Sequence, residues 1–381
     1  MDKPSKWEMK YLHECFTLAS GSTKPTDIEA SKPNDTYFPV YGGNGIMGYS
    51  KDVFSEETQL VIGRVGEKCG CVHLARGPHW ITDNALYTKN FKIQASVEYF
   101  AYLLEYLQLS KVRNKGGQPL ISQQPIYKIQ INLPQKEEQL RIVNVLDKWG
   151  LAIDHTQKLI EAKMKLKKAL MQHLLTGKKR LLRFENIPWS NTQVGNYFVE
   201  FSERNIENKD LEILSCTKNQ GIMTQSDRFG KRMASKSLER YKIVKNGDLI
   251  YDPMLLWDAS IGFLKVCNMG VISPAYSTFK FNEQKGDRNF FELLFDTHYM
   301  RGQYKIISQG TNVRRRKAPK DAFLKIKIEI PTTLQEQREI ANVFNTLDRE
   351  IMQLSLLLSL YRKQKKGLMR VLLTGVIKVS A

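Results

Sequence analysis

The sequence predicts an α+β protein written twice, each half a globular domain followed by one long helix. Three observations predict it. A 40-residue helical segment recurs without gaps, both copies carry a seam of apolar residues at 4-3 spacing, and short β-type runs precede each copy.

The repeat comes first, because it sets the boundaries. Residues 138–177 align onto 336–375 with a constant offset of 198, and sixteen of the 40 positions are identical. Glu138/Glu336, Gln139/Gln337, Ile142/Ile340, Asn144/Asn342 and Val145/Val343 open the identities, and both copies close on Leu-Leu-Thr-Gly. Upstream, KIQINLP (Lys128–Pro134) mirrors KIKIEIP (Lys325–Pro331), and Trp7, Leu12 and Phe16 are echoed by Trp189, Val194 and Phe198. The organisation read from this is a first globular domain at 1–133, a long helix at 134–183, a second domain at 184–330 and a second long helix at 331–381.

Within the first domain, TQLVIGRVG and CGCVHLA read as strands and VEYFAYLLEYLQ as a helix. The first long helix has no Pro and ends at Gly177, suited to a left-handed C-cap. Its seam runs Ile142, Leu146, Trp149, Ile153, Thr156, Ile160, Lys163, Lys167, Leu170, Leu174. The second domain has β-type runs in KNGDLIYD, IGFLKVC and STFKFN, then the helical RNFFELLFDTHY. The second seam runs Ile340, Phe344, Leu347, Ile351, Leu354, Leu358, Tyr361, Lys365, Leu368, Leu372. A stripe only two positions wide predicts an antiparallel coiled coil rather than a helix lying on a core, with the domains at its two ends and each helix spanning roughly 55–60 Å. Lysines at seam positions 163, 167 and 365 weaken that zipper and predict room for a partner's acidic or helical surface.

Composition narrows the function. The 381 residues hold 58 Lys plus Arg against 39 Asp plus Glu, a net charge of +19, which favours a polyanionic partner. No apolar run approaches the roughly 18–20 residues that span a bilayer, so nucleic acid is favoured over membrane. MDKPSKWEMK lacks an apolar signal core, which predicts an intracellular (cytoplasmic) protein. Five scattered cysteines read as structural thiols.

Enzyme readings fail one by one. Gly43, Gly45 and Gly48 in VYGGNGIMGYS fit G-x-G-x-x-G, but no helix pattern begins after Gly48 to hold a phosphate. YDPM (Tyr251–Met254) lacks the second proline and the stacking aromatic of an adenine-methyltransferase loop. The histidines show no metal-ligand spacing, and no nucleophile elbow or P-loop is present.

What remains is chemistry suited to a DNA groove. Asn44, Gln118 and Gln220 can pair bidentately with base edges. Arg64, Lys68, Arg76, Arg113, Lys115, Arg228, Lys231, Arg232 and the run Arg314-Arg315-Arg316-Lys317 sit in or beside Gly-rich or polar turns, where cations neutralise phosphates and set register. Gly43 and Gly45 let the backbone turn tightly and approach a groove while presenting Asn44 and Tyr49.

Two divergent domains, each followed by a repeated helix ending in LLTG, resemble the DNA-specificity subunit of type I restriction–modification systems. The likeness is carried by KIQINLP…EQ…LLTGKKRL and its second copy, YGGNGIMGY with LVIGRVGEKCGCVHL and ITDNAL, and GDLIYDPM…IGFLKV…VISPAYSTF. It implies that each domain reads one half of a bipartite double-stranded DNA site, and that the helices fix the gap and dock two modification (methyltransferase) subunits. It implies further that restriction subunits join the assembly. S-adenosylmethionine and ATP/Mg would then belong to partner subunits, leaving this chain non-catalytic and without a cofactor of its own. Alternatives left open are a specificity module of another methyltransferase or nuclease assembly, an enzyme acting alone, and a non-specific nucleic-acid adaptor.

Overall fold

The structure, a computed structural model, describes residues 7–114, 116–218, 220–230, 237–310 and 316–379. The chain divides into two units. The first takes the residues up to Lys158 together with those from Ser355 onward, and the second runs from Leu159 to Leu354.

In the first unit β1 (Glu8–Tyr11) leads through one helical turn, α1 (Leu12–Cys15), into β2 (Phe16–Ser20). Next come β3 (Phe38–Gly42), β4 (Gly45–Ser50), β5 (Gln59–Gly63), β6 (Val72–Ala75), β7 (Trp80–Ile81) and β8 (Ala85–Phe91). The helices α2 (Val97–Leu107) and α3 (Gln123–Tyr127), β9 (Gln130–Leu133) and the long helix α4 (Lys136–Leu174) follow. One antiparallel sheet has the order β2-β8-β5-β6; a second has the order β4-β3-β7, with β3 and β7 parallel. β5 is buried at every position, as its apolar run requires. β1 pairs with β9, whose Ile131 and Leu133 are buried while Gln130 and Asn132 are exposed, the two-residue period of a half-buried strand.

The second unit holds β10 (Trp189–Gln193), β11 (Phe198–Glu200), β12 (Glu212–Thr217), β13 (Gly221–Thr224), α5 (Gln225–Phe229), β14 (Lys242–Lys245) and β15 (Leu249–Tyr251). β16 (Ile261–Phe263), β17 (Met269–Ile272), β18 (Ser277–Phe281), α6 (Arg288–Phe295), α7 (His298–Ile307), α8 (Lys320–Leu324), β19 (Lys327–Pro331) and α9 (Leu334–Leu373) complete the chain's elements. Its sheets are β11-β18-β15-β16 and β13-β12-β17-β14, and β10 pairs with β19. Strand for strand this is the connectivity of the first unit, down to the parallel pair β12·β17 that answers β3·β7, with β14 added at one edge. The duplication therefore extends through the domains whose sequences have diverged.

Several of the identities that survive between the two halves sit where domain meets helix. Gln139 accepts from the Ser96 amide (2.9 Å) and donates to the Pro134 carbonyl (2.9 Å); Gln337 accepts from the Asp287 amide (2.8 Å) and donates to the Pro331 carbonyl (2.9 Å). Ser96 and Asp287 are themselves the N-caps of α2 and α6. The indole of Trp7 donates to Glu138 (3.1 Å), and that of Trp189 to Glu336 (3.2 Å). Gly177 and Gly375 take φ of +70° and +73°, and a β-carbon on either would press on Trp189 or Trp7 respectively.

Both seams are the covered stripes of their helices: each predicted seam position is buried or half-buried. Within the first unit the two helices meet, Trp149 against Tyr361 (5.5 Å between centroids) and Gln157 bonded to Arg362 (3.4 Å). Within the second they run antiparallel, Lys163 paired with Glu350 (2.7 Å) and Lys167 with Asp348 (2.5 Å). These pairs correct the expectation for the seam lysines. Lys163 and Lys167 are satisfied inside the chain, and Lys365 lies 4.8 Å over the Tyr102 ring, so none is held open for an acidic partner.

Candidate nucleic-acid interface

In the first unit three chain segments gather at one end of the sheets. The β3–β4 hairpin turns at Gly43-Asn44, with Gly42 paired to Gly45. A β-carbon on Gly43 would lie 2.9 Å from the Val65 carbonyl oxygen and 3.0 Å from that of Asn84, and one on Gly63 would strike the Gly43 carbonyl. The turn is thereby seated on the β5–β6 loop, Arg64 to Cys71. That loop binds the third segment: Gly66 donates to Pro119 (2.9 Å), and Ile121 donates to the Arg64 carbonyl (2.9 Å). Asn114 staples the third segment internally, accepting from the Leu120 amide (2.7 Å) and donating to the Gly116 and Gln118 carbonyls. Sequence reasoning missed this organiser, whose role depends on contacts up to six residues ahead.

Asn44, Lys68, Arg113 and Gln118 are exposed on these three segments, so four predicted contact residues come together. Arg64 is half-buried and donates to the Ser20 hydroxyl (3.1 Å), which makes it a brace as much as a contact. Tyr49 lies further down β4, half-buried opposite Pro39 and bridged to Glu29, away from the turn. Arg76 is placed apart from these three segments. It follows Ala75, which pairs with Gln59 at the far end of β5 from Gly63, and its guanidinium faces Glu98 of α2 (3.9 Å). It does sit beside a glycine-containing turn, at Gly77, but the length of β6 separates that turn from the Arg64–Cys71 loop.

The glycines are explained by packing. Gly45 takes φ +98° above His73, whose imidazole is held below its usual pKa by burial, and Gly48 sits inside β4 where a β-carbon would strike Ile28. Strand, not helix, follows Gly48, so no phosphate cradle forms.

The second unit gathers the topologically equivalent segments. Gln220 is exposed in the β12–β13 turn, the counterpart of Asn44. Lys218 in that turn pairs with Asp258 (2.7 Å) of the β15–β16 loop, the counterpart of Arg64–Cys71. The segment before α8, counterpart of the segment before α3, joins them: Ala318 donates to the Pro253 carbonyl (2.9 Å), and the Arg316 guanidinium lies 5.8 Å over Trp257. Lys317 is exposed, its backbone paired with Gln309. Arg228 is partly committed: it projects from α5, donates to the Cys216 carbonyl (3.1 Å) and the Ser215 hydroxyl, and stacks on Phe229. Lys115, Lys231, Arg232, Arg314 and Arg315 lie outside the described residues.

Tyr251 is fully buried between Phe279 and Phe323, and burial raises the pKa of Asp252 beside it. Burial also pushes the Cys15 thiol to about 11 and Cys216 to about 12, which suits structural rather than reactive thiols. Among the described residues no helix is long and apolar enough to cross a membrane.

Comparison with known proteins agrees with this geometry. The family described as type I restriction modification DNA specificity domain matches residues 4–164. The MjaVIII specificity subunit of a type I restriction enzyme from Methanocaldococcus jannaschii is 26% identical, covering 99% of this chain and 94% of that protein. The EcoprrI specificity subunit from Escherichia coli is 26% identical over 141 residues, so that the match spans 35% of its length. Among solved structures, the S subunit of a type I restriction–modification system from M. genitalium superposes with a TM-score of 0.62 at 14% identity, covering 98% of this chain and 97% of that one. The HsdS subunit from Thermoanaerobacter tengcongensis gives 0.52 at 13% identity.

Proposed function

We propose that the chain is a specificity subunit of the type I restriction–modification family and that it reads a bipartite DNA site, one half with each unit. One observation carries the reading: each unit brings three separate segments to one place, with an exposed amide at the hairpin turn (Asn44 or Gln220) beside exposed cations. Amides at that position discriminate bases while the cations grip phosphates without regard to sequence.

The long helices serve as spacer and docking surface. Leu151 and Leu356 in the first unit, and Leu159 and Met352 in the second, lie off the seam and are exposed, apolar surface in each unit that supports docking of two modification subunits, with restriction subunits joining that assembly. The chain itself is assigned no catalysis and no cofactor, and it works in the cytoplasm. S-adenosylmethionine and ATP/Mg are assigned to the partners. The one nucleotide-like motif supports this, being a hairpin whose glycines face protein.

Replacing residues 1–133 with the corresponding domain of another family member tests the assignment. The expected result is a change in one half-site alone. A change in both, or methyl transfer or DNA cleavage by the purified chain by itself, overturns it.

A further inference from the structure

We propose that the β15–β16 loop reads thymine methyl groups in the second half-site, through Met254 and Leu255. This rests on the DNA-reading assignment above and adds to it the chemistry that the second unit recognises.

The loop occupies the place of the Arg64–Cys71 loop of the first unit, yet its residues 252–260, DPMLLWDAS, contain no cation and no amide side chain. What it presents instead are two adjacent large apolar side chains, Met254 at 40% and Leu255 at 41% exposure. The other two segments bring cations to the same loop: Lys218 of the hairpin turn pairs with Asp258, Arg316 before α8 lies over Trp257, and Lys317 beside it is exposed. An apolar tip inside a basic rim matches a groove in which phosphates flank the one apolar group that a base edge offers, the thymine C5-methyl. The same rim disfavours an apolar protein partner, which would bury the charge of the exposed Lys317.

The tip is rigid. Met254 donates its amide to Asp252 Oδ1 (2.9 Å), Leu255 to the Asp252 carbonyl (3.1 Å), and Ser260 to the Leu255 carbonyl (3.2 Å). The Trp257 indole donates to the Met254 carbonyl (3.0 Å), and Asp252 to the Ser260 carbonyl (3.0 Å). Little further ordering is needed when DNA arrives, so contact is not offset by lost loop entropy. The first unit carries its own adjacent pair, Ile46 and Met47, at 52% and 44% exposure two and three residues after Asn44. There the pair rides on the hairpin rather than on the β5–β6 loop.

The experiment uses the full chain. A selection from random duplex DNA first identifies the two half-sites, and each thymine is then replaced by uracil, which differs only in lacking the methyl. Wild-type protein is expected to lose binding about threefold to fivefold at one or two positions of the second half-site. Met254→Ala with Leu255→Ala is expected to bind thymine and uracil duplexes equally there, and to leave uracil effects in the first half-site unchanged. A Met254→Gln, Leu255→Gln variant keeps the volume and should behave likewise. A second half-site without thymine, equal wild-type binding of both duplexes, or a variant that still discriminates overturns the inference. Loss of partner-subunit binding with discrimination retained also overturns it, assigning the pair to a protein contact. A selection that returns no bipartite motif instead overturns the DNA-reading assignment itself.

Discussion

Glu336→Gln tests how the globular part of the second unit is fixed to its helix. Glu336 is fully buried at the start of α9, and Arg180 reaches it with two nitrogens, each at 2.8 Å, while Trp189 donates a third bond. Removing one partner of a buried pair costs roughly 3–5 kcal/mol, because the other charge is stranded. Arg180 here keeps two further acceptors, the Phe184 and Ile187 carbonyls at 2.9 and 2.7 Å, which places the expected loss at about 2–3 kcal/mol. For a unit of this size that is a fall of about 4–12 °C in Tm. Thermal unfolding measures the loss, and hydrogen exchange at β10 and β19 locates it. Adding Arg180→Met should restore part of the stability, since an apolar side chain no longer needs the carboxylate. A loss below about 0.5 kcal/mol would refute the reasoning, because so exposed-like a value is incompatible with a buried, triply bonded carboxylate.

Three further outcomes are expected. Asn44→Ala should weaken discrimination in the first half-site by about 1–3 kcal/mol and leave the second readable, measured with half-site variants; unchanged binding would reduce the hairpin to a turn. Gly63→Ala should cost about 2–3 kcal/mol in denaturant unfolding and abolish first-half-site reading, since its β-carbon meets the Gly43 carbonyl, which is backbone and cannot swing aside. Burial holds His73 and His79 below their usual pKa, while the unfolded imidazoles titrate near ~6.5. Below that pH the unfolded chain binds more protons, so the first unit should lose stability as pH falls from 7 toward 5, with its hydrogen-exchange protection factors falling there.

The helices and their anchoring residues were legible because their determinants are local or duplicated. A 4-3 seam is read within one element, and Glu138-Gln139, Trp7 and the terminal LLTG stand out by recurring where they hold domain to helix. The loops were only half legible. Residue type identified Asn44, Lys68, Arg113, Gln118 and Gln220 as exposed polar groups, but which of them share a place depends on strand pairings tens of residues apart. Arg76 shows the limit: it stands beside a glycine in sequence, yet the four pairs of β5·β6 carry it to the opposite end. Arg228 shows another, since its bonds to Ser215 and Cys216 join residues twelve and thirteen positions away. The equivalence of the two domains lies in sheet order, which pairwise identity no longer records.

Selection of bound duplexes from a random pool by the full chain tests the central claim most directly. The account predicts two short fixed segments separated by a gap of constant length and random sequence. A uniform pool, or one continuous motif, would contradict it.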